Sequence, residues 1–79
     1  MTVYKVTIID NDGIGWSTEN VLAGNLPKAL IKANDYCTKI IKDTRAKEEK
    51  DKTPKEDKLS KSFCLIVDGI EPICEIDIE

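Results

Sequence analysis

The chain has 79 residues, of which 41% are apolar and 34% charged, with a net charge of −3. That length holds one domain, residues 1–79, and a chain so short buries only about 60% of its unfolded surface, so each core side chain carries weight. Both charge signs together with that apolar share exclude a disordered acidic tail, and no apolar run approaches the roughly 20 residues that span a bilayer. A polar strand starts directly at the N-terminus with no export signal ahead of it, which predicts a cytoplasmic protein.

The first element is "TVYKVTII", residues 2–9, rich in β-branched and aromatic residues, a strand with Tyr4, Val6 and Ile8 on one face. "DNDGIG" follows, and its Gly, Asn and Asp predict a chain reversal. Part of it also resembles a calcium loop: Glu19 stands six positions after Gly13, as in D-x-D-G-x5-E, but the leading Asp of that pattern would fall on Ile8. Strands flank it where that motif has helices, so a hairpin turn is expected. A second strand runs from Trp16 to Ala23, with Val21 and Ala23 suggesting one inward face and Trp16 and Leu22 the other.

Asn25 ahead of Leu26 and Pro27 predicts a helix start, because the Asn side chain caps free amides and Pro is tolerated in the first turn. Leu26, Leu30, Ala33, Cys37, Ile40, Ile41 and Thr44 then recur at spacings of three and four, an amphipathic helix. Lys28, Lys32, Lys39 and Lys42 fall on its other side. Residues 43–61 read as a charged loop or an extension of the helix, broken near Thr53-Pro54.

"SFCLIVD" is apolar on both faces and predicts a strand inside the sheet. Asp68-Gly69 is a strong hairpin signal leading into a last strand, Ile73 to Ile78. With that turn, Phe63, Leu65, Val67, Cys74, Ile76 and Ile78 share the helix-facing side, and Glu75, Asp77 and Glu79 look away on an edge that Pro72 helps to blunt. Cys64 and Cys74 then stand on opposite faces and do not bond. The expected fold is α+β: an antiparallel four-stranded sheet with one long helix packed on one face, in the order ββαββ.

With no histidine in the chain, neither a Cys-His nor a Ser-His pair can be drawn, and the four glycines are too scattered to cradle phosphate. Three cysteines without histidine indicate neither a zinc site nor a disulfide framework. The expectation is a protein that is not an enzyme and takes no cofactor or metal. Charge is segregated: residues 1–25 set Lys5 against Asp10, Asp12 and Glu19, and residues 62–79 carry Asp68, Glu71, Glu75, Asp77 and Glu79. Residues 26–61 hold eleven basic and seven acidic side chains.

One helix cannot cover both faces of such a sheet, so Val3, Ile9, Cys64, Ile66 and Ile73 are left beside Glu75 and Asp77 as an apolar patch rimmed with acid. "VYKVTIIDNDGIGWSTENVLAGNLPKALIKANDYC" followed by "FCLIVDGIEPICEIDIE" reads as hairpin, helix, charged loop and hairpin. In size, element order, acidity and lack of catalytic groups the chain resembles the small α+β accessory proteins of phages and mobile elements, anti-CRISPR proteins among them. That resemblance implies an inhibitor that binds a host defence protein, such as a nucleic-acid-binding nuclease complex, in the host cytoplasm and blocks its channel or its activation. The partner would present a basic surface, with Glu75, Asp77 and Glu79 steering the encounter and Trp16, Ile66 and Ile73 supplying the desolvated contact. Two alternatives stand beside it: a scaffold protein that forms a homodimer through the open sheet face, and a nucleic-acid binder that uses the lysine face of the helix.

Overall fold

The computed structural model describes residues 1–77. Strands β1 (Thr2–Asp10) and β2 (Gly15–Ala23) are followed by helix α1 (Leu26–Lys50), a 3-10 turn at Lys55–Asp57 and strand β3 (Leu65–Glu75). Both strand pairings are antiparallel and the sheet order is β2-β1-β3. The α+β class and the single long helix match the expectation from sequence. The sheet, however, has three strands, and the element order is ββαβ.

β1 is the central strand because its alternation suits both neighbours. Tyr4, Val6 and Ile8 are buried on the helix side, and Val3, Thr7 and Ile9 are half-buried on the other. The turn after it is held by Asp10, whose Oδ1 accepts from the amides of Asp12 at 2.9 Å and Ile14 at 3.0 Å. Gly13 takes the left-handed φ of 83° that the turn needs. Asp10 therefore serves backbone amides in a hairpin turn, the first of the two readings of "DNDG".

The predicted second hairpin is absent, and β3 continues as one strand along the whole of β1. Gly69 pairs with Thr7 and Val67 with Ile8, leaving Asp68 as an extra residue in a bulge. A two-residue Asp-Gly turn needs left-handed φ at both positions, and Gly69 does not adopt it. Full-length pairing wins because a reversal at Gly69 would leave the N-terminal half of β1 without a second neighbour. A second bulge falls at Ile73, between the pairs Val3–Cys74 and Tyr4–Pro72.

The bulge at Asp68 leaves Val67 and Ile70 on one face, as the expected turn would have done, and the bulge at Ile73 inverts the parity beyond it. Leu65, Val67, Ile70 and Pro72 oppose the helix-facing residues of β1, but Cys74 opposes Val3 on the open side, and Glu75 opposes buried Thr2 on the helix side. Ile76 extends the ladder past β3 through reciprocal backbone bonds with Met1 of 2.7 and 2.9 Å. Ile78, also assigned to the helix-facing set, lies outside the described residues. β3 is an edge strand, not an interior one, and Pro72 sits beside a bulge where its missing N–H costs least.

The helix begins as expected, with the Asn25 side chain accepting from the Lys28 amide at 3.0 Å and Pro27 in the first turn. Its buried stripe is Ala29, Ala33 and Cys37, one residue per turn. These small side chains let α1 sit close on Tyr4, Val6, Ile8 and Ala23, with Ile40, Ile41, Phe63 and Val67 closing the margin. Leu26 and Leu30, expected in the core, remain 47% and 41% exposed. A sheet of three strands is only about 10 Å across between its outer chains, too narrow to shelter the flank of the helix that carries them.

α1 ends at Lys50 in a Schellman motif. The Thr53 amide bonds to Glu48 O at 2.9 Å and the Lys52 amide to Glu49 O at 3.2 Å, with Lys52 at φ 54°. That position favours glycine, since a Cβ in the left-handed region costs about 1–2 kcal/mol. Lys52→Gly is therefore expected to raise the free energy of unfolding by roughly 0.5–1 kcal/mol, the gain being trimmed by the greater freedom of glycine in the unfolded chain. Urea denaturation measures it; a loss of stability would mean that the motif is not formed.

Candidate functional site

Helix α1 covers one face of the sheet, and the other faces outward. Register places four rows of side chains on that open face: Leu22–Val3–Cys74, Asn20–Lys5–Glu71, Thr18–Thr7–Gly69 and Gly15–Ile9–Ile66. Its two ends are apolar and its middle is polar. Lys5 Nζ approaches Glu71 Oε1 at 4.0 Å across the central row, both side chains about half exposed or more, so the pair adds little stability and mainly fixes polarity. The expected continuous apolar patch rimmed by acid is thus two smaller patches separated by a Lys-Glu and threonine band.

The predicted contact residues do not assemble in one place. Ile66 lies on the open face opposite Ile9 and is 47% exposed. Trp16 is the extra residue of a bulge between the pairs Ile8–Ser17 and Ile9–Gly15. Its indole stands edge-on to Phe63, with ring centroids 5.6 Å apart, and Phe63 packs against the helix-side core; the indole therefore belongs to that layer. Ile73 is the residue of the second bulge in β3, half exposed. Glu75 accepts a hydrogen bond from the Thr2 hydroxyl on the helix side, not the open side. Asp77 is exposed beyond the end of β3, and Glu79 lies outside the described residues.

What remains of the electrostatic expectation is a property of the strands as a group. Residues 1–25 and 62–77 contain one basic side chain, Lys5, against Asp10, Asp12, Glu19, Asp68, Glu71, Glu75 and Asp77. The outer edge of β3 has unpaired backbone groups, and the charged side chains of the strand, Asp68, Glu71 and Glu75, are all acidic. Sequence reasoning missed Lys5, Thr7, Thr18 and Glu71 as members of the open face. Their i, i+2 spacing on each strand was the available signal, but the bulges set the register.

On the helix side, the Tyr36 hydroxyl donates to Glu19 Oε1 at 2.9 Å, and this bond to a carboxylate holds the phenol above its ordinary value. Burial pushes the Cys37 thiol up from its ordinary 9.0, whereas Cys64, just before β3, and Cys74, near its end, are exposed. A thiol reagent near neutral pH is expected to modify two cysteines in the native protein and the third only after unfolding. The raised value at Cys37 contributes stability that is complete below 9.0 and declines as pH rises above it, because the unfolded chain loses that proton first. Native-state labelling of all three at one rate would contradict the burial.

Among the described residues no group of three or more His, Cys, Asp or Glu side chains gathers as metal ligands, and no helix is long and apolar enough to cross a membrane. No protein-family model matches the sequence, and no curated protein or solved structure was found to be similar to it.

Proposed function

We propose that this is a non-enzymatic binding domain of phage or mobile-element type, an inhibitor that docks a basic host protein on the open face and acidic β3 edge of its sheet. The observation that carries the reading is the uncovered face: Ile66 is 47% exposed there beside half-buried Ile9, with no segment of residues 1–77 folded over it. The charged side chains of β3, all of them acidic, support a partner of opposite charge, since such complementarity speeds and orients docking. A host defence protein whose channel holds nucleic acid presents that kind of surface. Occupying it needs no chemistry, only shape and charge.

The test is an amide-shift map of the labelled protein titrated with the purified defence nuclease of the host, at low and at high salt. The expected result is broadening at Val3, Thr7, Ile9, Thr18 and Ile66, with an association rate that falls as salt rises. Broadening confined to α1, or a concentration-dependent dimer that occludes the same face without partner, would overturn it.

A further inference from the structure

The segment after α1 folds back on the helix and leaves a groove whose charge is opposite to that of the sheet. Both carboxylate oxygens of Glu48 accept from the Leu59 amide, at 3.2 and 3.0 Å, and Arg45 Nη2 donates to Ser60 O at 3.1 Å. These bonds fix the loop against the last turns of α1. The groove between them, about 520 Å³, is lined by Arg45, Lys55, Lys58, Leu59, Ser60 and Lys61.

Four of those six residues are cationic and none is acidic. Among the described residues the single ion pair of the protein is Lys5–Glu71, so none of the four cations is neutralised by a carboxylate. Glu48, both of whose oxygens accept from the Leu59 amide, and Glu49 line the adjoining cavity beside Arg45 and Lys58, so the carboxylates stand to one side of the cationic groove. Like charges held in one concavity repel each other and raise the local concentration of anions. The combination of a planar guanidinium and several ammonium groups suits phosphate oxygens, which the first can bind in pairs and the others as point charges.

We propose that this groove binds a compact oligophosphate, two or three linked phosphates, whether free or carried by a nucleoside. Its volume falls within the range of small-ligand sites, about 300–1,000 Å³, and excludes a duplex. It is separate from the lysine face of α1 that carries Lys28 and Lys32, and it uses none of the residues of the sheet face.

The experiment is a titration of the labelled protein with tripolyphosphate, and in parallel with a nucleoside triphosphate, at an ionic strength of about 20 mM. Saturable shifts confined to residues 45–61 with either probe are expected, and a preference between them tells whether the base contributes. Lys55→Gln with Lys61→Gln, which leaves the Arg45 and Glu48 tethers intact, should weaken binding about tenfold, the equivalent of about 1.4 kcal/mol over two solvent-exposed charged contacts. Lys28→Gln with Lys32→Gln should leave it unchanged. Shifts that do not saturate, that spread equally to Lys28 and Lys32, or that survive the Lys55 and Lys61 changes would overturn the proposal, as would binding of a single-stranded oligonucleotide without any binding of tripolyphosphate.

Discussion

Ile8→Ala is expected to lower the free energy of unfolding by about 3 kcal/mol, within the range of about 2–5 kcal/mol found when a buried aliphatic side chain is cut to alanine. Ile8 is fully buried on the central strand, in the cluster formed with Val6, Ala33, Cys37 and Leu65. It touches the helix and lies between both neighbouring strands, so the cavity left behind cannot be closed by movement of one element. A domain of this length has only about 4–12 kcal/mol in hand, and the substitution would remove a large part of it. Urea denaturation measures the loss. Ile8→Val should cost about 1 kcal/mol, a graded effect that remains readable if the alanine variant does not fold. Thr7→Ala, on the same strand but the open face, should change stability by less than about 1 kcal/mol. Equal losses at Ile8 and Thr7 would mean that the two faces of the sheet are not as different as the packing requires.

That contrast between neighbouring residues of β1 was legible in the sequence, because its alternation and the capping of α1 by Asn25 are local. The Asn side chain reaches an amide three residues away, and Tyr4, Val6 and Ile8 lie on one face of any extended chain. What was not legible depends on distant partners. Asp68-Gly69 is a good turn dipeptide in isolation, but the length of β1 decides that the chain runs straight through it as a bulge. The Asp68 bulge keeps Val67 and Ile70 on one face, but the bulge at Ile73 inverts the faces assigned to Cys74 and Glu75, and no local pattern reports that. The helix tells the same story: Leu26 and Leu30 match the apolar period, yet the width of the sheet leaves them half exposed and gives the contact to Ala29 and Ala33. The open face suffered most, since its membership follows register. Ile66 was placed correctly on it, Glu75 was not, and the central Lys5–Glu71 pair joins residues 66 positions apart in the chain.

Ile66→Arg is expected to separate binding from folding. Ile66 is 47% exposed in the free protein, so its replacement removes little buried surface and should move the melting temperature by less than about 4 °C, the equivalent of under 1 kcal/mol in a domain of this size. In the proposed complex the same side chain, with Ile9 beside it, would be desolvated in the apolar patch at one end of the open face, and truncating a residue that anchors a contact costs about 2 kcal/mol or more, about thirtyfold in affinity. Arginine adds a second penalty: it places a positive charge on the face offered to a basic partner, which slows association as well as speeding dissociation. Thr38→Arg on the exposed side of α1 introduces the same charge away from the sheet and should leave affinity within about threefold. Calorimetric titration of the proposed partner, a defence nuclease, against both variants, with melting curves on the same samples, reads the two effects apart. If the two arginines weaken binding equally, net charge alone governs the encounter and the open face is not the docking surface; if Ile66→Arg lowers stability in proportion to affinity, its role is structural.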